Sequence, residues 1–518
     1  MRDIPINVSK KILADISSGI YRTPANALKE LVSNAFDASA HRVFISTNAP
    51  YFDVFTCEDD GKGISVKEFE KIINIIGSSW KRADGEIAKN GRPIIGKIGI
   101  GLLAVAQICN KFTIISKKEG LDTYFEATVD LKQFDDVGKE KSYLEGSGEI
   151  SLGKCQIEDD LKDEVGPKRH YTKIIMEELK EGFRVTLLQE EPKRVFKIAE
   201  KAAKSDNFVT FIDSIKKKKF NEVSQYDQLI WELGLLCPVE YIDNGPLPDN
   251  RIIKTEVEKL KKYNFKVFVD GFEIRKPILF PTDKELNKEG PDYKIYPYIS
   301  FKEKMNGSTL SFTGYILHQR KKIQPAELQG ILIRTKGVGV GGYDRTFLHY
   351  PKAEGPMFHQ ISGEIFVENG LEQALNIDRN SFNETHQHFL KLQEFLWNYL
   401  GEPKKGVFRD VRERSKKRRE LSYTREAEKE LSKVIASIKE TFDIKINVER
   451  NHKKENAPYY YNKKEKKLIL HSHPFWAKNS KERLAQEKII LAITAAKNAS
   501  TNIESFEKNL LKLFTNKS

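Results

Sequence analysis

Apolar residues recur along the chain with two different periods, and the change of period divides it. Residues 1–180 mix both. The run Asn26–Ala40, NALKELVSNAFDASA, places Leu28, Leu31, Val32 and Phe36 at helical spacing, and strand-like runs follow in FDVFTCEDD and KFTIIS. Residues 181–265 are charged and mostly helical in pattern, with a lysine run at Lys216–Lys219. Residues 266–385 alternate apolar and polar positions in KVFVDGFEI, SFTGYIL, GILIRTKG and GEIFVENG, punctuated by glycine, which predicts strands with crossover helices. Residues 386–518 return to a helical pattern, starting at HQHFLKLQEFLWNYL, with a short β-like patch in DIKINVE and KKLILHSHPFW and two final helices. The amphipathic segment Thr424–Glu440 predicts a packed helix. The expectation is an α+β protein of four parts: 1–180, a connecting segment 181–265, an α/β domain 266–385 and a mostly helical region 386–518.

Composition narrows this picture. No stretch approaches the roughly 20 apolar residues of a membrane span, and the N-terminal MRDIPINVSKKILADI has no apolar signal core, so a cytoplasmic protein is expected. The cysteines Cys57, Cys109, Cys155 and Cys237 form no C-x-x-C pair and read as buried reduced thiols. A net charge of +13 favours an anionic partner such as nucleic acid or an acidic protein surface. The densest cationic stretch is KKGVFRDVRERSKKRRE, residues 404–420, which could track phosphates or form a solvated helix face. His471 and His473 lack a nearby cysteine or acid at metal-ligand spacing and read as a strand end before Pro474.

Candidate chemistry concentrates near the N-terminus. Glu30, Asn34 and Asp37 lie at i, i+4 and i+7, so one helix face carries an acid, an amide and a second acid. The strand-like run FDVFTCEDD ends in Asp59-Asp60 and then Gly61-Lys62-Gly63-Ile64, a turn of D-x-G-x-G or D-G-x-G type in which glycine lets a flat ring approach the backbone. Gly96, Gly99 and Gly101 form a G-x-x-G-x-G loop opening into an apolar helix, Leu102–Cys109, where backbone N–H groups can cradle phosphate. No G-K-[ST] follows, so this is not a P-loop. A strand, RHYTKIIMEEL, carries Thr172.

In their order and spacing these four elements resemble the GHKL superfamily of gyrase B, the ninety-kilodalton heat-shock chaperone, histidine kinases, MutL and MORC-type ATPases. The resemblance implies a two-layer α/β sandwich that binds ATP with Mg²⁺, followed by an α/β transducer-like domain. It implies that Asn34 holds Mg²⁺ beside Asp37, that Asp60 accepts from the adenine amino group with Thr172 assisting, and that Gly61, Gly63 and Ile64 line the ring. It implies that Gly96, Lys97, Ile98, Gly99, Ile100, Gly101 and Leu102 wrap the phosphates, and that Glu30 activates water. Ser78, Ser79 and Lys81 resemble the lid stretch of chaperone-like and MORC-like members.

Hydrolysing members of the superfamily often take a cation for the γ-phosphate from the second domain. Arg334 and Lys336, in GILIRTKGVGVGGYDR, are the candidates; they alternate onto the same strand face, and Lys336 is preferred. Asp378 and Arg379, in ALNIDRNSFNE, are expected to stabilise a local turn. The function expected is that of an ATP-hydrolysing, ATP-gated homodimeric clamp or switch. Its expected target is nucleic acid, reached through the basic C-terminal half, with prokaryotic antiviral defence as the setting. A heat-shock-type chaperone and an ATP-sensing module for a separate effector protein are the alternatives.

Overall fold

The structure, a computed structural model, describes residues 23–74, 91–95, 105, 108–130, 154–163, 168–188, 208–216, 218–242, 251–278, 293–305, 307–352, 354–376, 378–477 and 480–515. The chain divides into two compact units, Met1–Glu402 and Pro403–Ser518.

The first unit is built on an eight-stranded sheet. Its strands are β1 (Arg42–Ser46), β2 (Phe55–Asp59), β3 (Cys109–Lys117), β4 (Thr123–Asp130), β5 (Lys154–Lys162), β6 (Tyr171–Leu179), β7 (Lys266–Val269) and β8 (Phe272–Ile274), in the order β5-β4-β3-β6-β2-β1-β7-β8. Alternation places Val43, Ile45, Phe55, Cys57, Ile114, Ala127, Ile174 and Met176 in one buried layer. Against that core lies α1 (Pro24–Asp37), which buries Leu28, Leu31, Val32 and Phe36 as its periodicity predicts. Proline in the first turn fits the helix start. At the other end Ser39 adopts φ 64°, and Ala40 N donates to Ala35 O while Ser39 N donates to Phe36 O. This Schellman stop fixes where Asp37 and Ala38 stand.

Two expectations change. KVFVDGFEI, expected in the second domain, instead extends the first sheet, since β7 pairs parallel with β1 and β8 pairs with β7. Residues 181–265 are not a mere connection. Their helices α3 (Glu181–Leu188), α4 (Phe208–Lys216), α5 (Gln225–Leu236) and α6 (Arg251–Tyr263) send Leu187, Phe211, Ile212, Trp231, Leu233 and Leu260 into the same core. Ser224 caps α5 by accepting from Asp227 N at 2.9 Å. A further helix of the sheet region, α2 (Val66–Asn74), begins with Ser65 and Glu68 capping each other.

A second sheet of five strands follows, in the order β12-β11-β13-β10-β9. It consists of β9 (Tyr293–Met305), β10 (Ser308–Gln319), β11 (Gly330–Thr335), β12 (Val338–Asp344) and β13 (Ile361–Asn369), and α7 (Gln387–Gly401) comes after it. Among the described residues of this sheet, only β11 and β13 pair in parallel. The second unit contains the 36-residue helix α8 (Val407–Phe442), a three-stranded sheet of β14 (Asn447–Lys454), β15 (Tyr459–Asn462) and β16 (Lys467–Ser472), and helices α9 (Ser480–Asn498) and α10 (Ile503–Thr515). Its core gathers Leu431, Ile438, Leu468, Leu470, Trp476 and Leu491. Within it His471 O accepts from Trp476 Nε1, and His473 Nδ1 accepts from Phe475 N, so both histidines shape the strand end.

Three of the cysteines are buried, and Cys155, on the edge strand β5, is exposed. Among the described residues no helix is long and apolar enough to cross a membrane.

Candidate active site

The acid face of α1 forms as its spacing predicts. Glu30 is 2% exposed, while Asn34 and Asp37, one and two turns on, are half-buried. Asp37 Oδ1 accepts from Ile95 N at 2.7 Å, tying the helix to the residues just ahead of Gly96. Asn34 stands between the two acids. An amide there suits Mg²⁺ shared with a polyphosphate more than an all-protein cage, and the described residues hold no cluster of three metal-ligating side chains.

Beside this face the sheet presents a polar row. Asp59 on β2 pairs in register with Thr172 on β6, and Thr172 with Ser116 on β3, so the three side chains share one face. Ser116 Oγ and Thr172 Oγ1 are 3.0 Å apart, and Ser116 Oγ also accepts from Ile64 N at 3.0 Å. Desolvation by the surrounding protein, reinforced by Asp60 and Glu58 and opposed by the Gly61 amide, raises the Asp59 carboxyl to about 7. Gly63 has φ 63°, and a Cβ there would lie 2.0 Å from Lys117 O, so only glycine lets the turn close on β3. A Cβ on Gly61 would meet Asp59 Oδ1 and Ala38.

The structure sends the two adjacent aspartates to opposite sides of the turn. Asp60, expected at the ring, turns to the other side of the turn, where its Oδ1 accepts from the backbone N–H of His41 and Arg42 at 2.6 and 2.8 Å. The carboxylate on the Thr172 row is Asp59. The D-x-G-x-G spacing of Asp59, Gly61 and Gly63 was the available signal. Ser116 carried none, since its place in the row depends on strand register.

The second sheet contributes cations at two turns. Arg334, expected as a partner for phosphate, is instead 1% exposed and committed elsewhere. Its Nε donates to Glu364 Oε1 at 2.5 Å and its Nη1 to Leu235 O at 2.7 Å. Tyr241 and Tyr315 donate to the other oxygen of Glu364 at 2.8 and 2.6 Å. Lys336, two residues on, sits at the tip of the β11–β12 hairpin with φ 53°, followed by Gly337 with φ 86°, the two positive angles of a type I′ turn. Its Nζ donates to Ile94 O at 3.0 Å and lies 3.8 Å from Glu372.

Arg379, expected to act only within its own turn, reaches the acid face. Nη1 is 2.9 Å from Glu30 Oε2, and Nη2 donates to Ile95 O at 2.7 Å. The backbone of Ile94 and Ile95 is therefore held from two sides, by Asp37 of α1 and by Lys336 and Arg379 of the second-sheet region. Nothing local in ALNIDRNSFNE signals a contact 349 residues away. Ser78, Ser79, Lys81, Gly96, Lys97, Ile98, Gly99, Ile100, Gly101 and Leu102 lie outside the described residues.

Comparison with known proteins agrees with this architecture. A family model described as histidine kinase-, DNA gyrase B-, and HSP90-like ATPase matches residues 21–172. A putative type II restriction enzyme, HgiDII, of Herpetosiphon aurantiacus is 32% identical over 116 residues, covering 22% of this chain and 18% of that protein. The chaperone protein HtpG of Natranaerobius thermophilus is 29% identical over 135 residues, 22% of each chain, and HtpG of Clostridium perfringens is 29% identical over 139 residues, 23% of this chain and 22% of that one. The chain thus spans about a fifth of the length of these relatives. With helix, polar row and glycine turn in the family's order, residues 21–172 form a region of the histidine kinase-, DNA gyrase B- and HSP90-like, or GHKL, ATPase type.

Proposed function

We propose that this chain hydrolyses ATP to ADP and phosphate, with water as the nucleophile. The observation that carries the proposal is the contact of buried Glu30 with Arg379 at 2.9 Å, which brings a carboxylate and a cation from different parts of the fold to one point. Glu30 would orient the attacking water and receive its proton. Arg379 and Lys336 would offset the charge that develops on the transferred phosphoryl group. Asp59 would accept from the adenine amino group, with Thr172 and Ser116 completing the row. Asn34 is the side chain that would hold Mg²⁺, and that ion, when bound, offsets phosphate charge. Glu30→Ala should keep ATP binding and lose turnover by about 10²-fold or more. Wild-type turnover in that variant would overturn the assignment.

The output we propose is nucleic-acid-directed, acting as an ATP-gated homodimer. The support lies in α8. Arg409, Arg412, Lys416 and Arg419 are exposed and follow each other at helical spacing, a stripe roughly 15 Å long, while Val407, Phe408 and Val411 are buried. Glu413 pairs with Arg409 and Asp410 with Arg414, so the stripe is partly compensated but remains cationic. The restriction-enzyme relative is in keeping with this output, and a role in genome defence extends it by analogy. Affinity for duplex DNA should fall with salt with a log–log slope of about −3 to −4, the value for four phosphate contacts. The HtpG relatives support a second reading, a chaperone acting on protein clients. A flat salt response together with suppression of client aggregation would decide for that reading.

A further inference from the structure

Lys29 precedes Glu30 on α1, and its side chain is 1% exposed. Its Nζ donates to Asn380 Oδ1 at 2.6 Å and to the backbone carbonyl of Arg379 at 3.4 Å. The turn it grips is itself tied. Asn380 Nδ2 donates to Asp378 O at 2.8 Å, Asn380 N to Asp378 Oδ1 at 3.0 Å, and Ser381 Oγ to both Asp378 oxygens at 3.0 Å. Arg379 takes φ 50° at the centre of this knot, and from there its guanidinium reaches Glu30 and Ile95 O.

The ammonium group of Lys29 stands among Glu30, Arg379, Cys237 and Asp378, and burial lowers its pKa to about 8. Removing an ammonium group from water costs several kcal/mol, so an apolar side chain of similar length would be the cheaper filling. What Lys29 does that an apolar chain could not is bond the 378–381 turn from the same helix that carries Glu30. With Lys29 and Glu30 consecutive, any slip of the turn along α1 is a slip of Arg379 relative to Glu30. A misplacement of about 1 Å at a reacting centre can cost about 10²-fold in rate.

We propose that Lys29, through Asn380, is a positioning residue for hydrolysis: it holds the turn so that the Arg379 guanidinium stays on Glu30 and on the Ile95 carbonyl. This rests on the ATPase reading above. The test compares wild-type protein, Lys29→Met, Asn380→Ala, Arg379→Ala and the double variant Lys29→Met/Arg379→Ala, measuring kcat, KM for ATP and thermal stability. Lys29→Met should lower kcat by about 10- to 100-fold, within the cost of such a misplacement, while KM changes less than about twofold. Asn380→Ala, on the half-buried turn, should show the same split and serves if Lys29→Met fails to fold.

The double variant should be no slower than Arg379→Ala alone, because Lys29 acts through Arg379. A merely structural lysine would instead slow the double variant further. Unchanged kcat in both Lys29→Met and Asn380→Ala, or additive losses in the double variant, would overturn the positioning role while leaving the ATPase reading intact. Absence of Glu30-dependent turnover in the wild type would overturn both.

Discussion

The acid face of α1 and the cationic turns of the second-sheet region meet at one place, but they are held there in different ways. Glu30, Asn34 and Asp37 ride on a regular helix whose other face fills the core, so their spacing is set by helical geometry alone. Lys336 and Arg379 sit at φ 53° and 50°, in the left-handed region that costs a non-glycine residue roughly 1–2 kcal/mol. The backbone at these turns is held in place by its neighbours. Lys276, fully buried, donates to Cys237 O at 2.8 Å and to Gly337 O at 3.4 Å beneath the Lys336 hairpin, and Asp378 braces the turn of Arg379.

The sharpest way to break this comparison is to remove a cation without touching the acids. Arg379→Ala should lower kcat by about 10²–10³-fold, the usual cost of deleting one preorganised donor at a developing charge. ATP affinity, measured by direct titration, should change far less, because the α1 face and the Asp59 row remain. Equal losses in affinity and turnover would mean that Arg379 holds the ground state and that the two halves of the site do not divide the work in this way.

Arg334 and Lys336 test the same division on stability. Replacing Arg334 by methionine leaves Glu364 buried with its charge uncompensated, and loss of one partner of a buried pair costs about 3–5 kcal/mol. Chemical denaturation should show that loss. Lys336→Gly should do the opposite at small scale, since glycine relieves the positive φ. Its stability should stay within about 1 kcal/mol of wild type, while turnover falls. If Lys336→Gly destabilised the fold as much as Arg334→Met, Lys336 would be a structural residue and its neighbourhood with Ile94 incidental.

What the sequence discloses follows the same divide. The face of α1, the strands and the Gly63 turn are local, and periodicity or backbone sterics specify each within a few residues. The cationic half is not local. Arg334 and Lys336 share a strand face by alternation, yet Glu364 lies 30 residues away from Arg334 and Ile94 lies 242 residues away from Lys336, and these distant partners decide their roles. The strands of KVFVDGFEI read correctly as strands, but their membership of the first sheet depends on pairing with β1, which no local pattern encodes. Asp59 is an intermediate case. The spacing allowed either aspartate, and only the register with Thr172 separates them.

The adjacent aspartates supply the smallest and most specific test, because they differ in environment and not in chemistry. Asp59→Asn replaces the carboxylate of the polar row with a neutral amide, a weaker acceptor than the anion, and should weaken ATP binding by about tenfold, the equivalent of roughly 1.4 kcal/mol. Asp60→Asn leaves one side-chain acceptor for the His41 and Arg42 amides and should leave affinity nearly unchanged. The two also separate by pH. With its carboxyl raised to about 7 in the free protein, Asp59 becomes the stronger, charge-assisted acceptor for an amino group once it loses its proton. Affinity should therefore rise, by at most about tenfold, between pH 6 and pH 8, and that rise should vanish in Asp59→Asn. Stability of the free protein carries the opposite sign. The folded state binds more protons than the unfolded state between the ordinary carboxylate value near 4 and about 7, so this group's contribution falls as pH rises through that window. A pH-dependent affinity that survives Asp59→Asn but disappears in Asp60→Asn would return the nucleobase to Asp60 and show that the polar row of β2, β6 and β3 serves the fold alone.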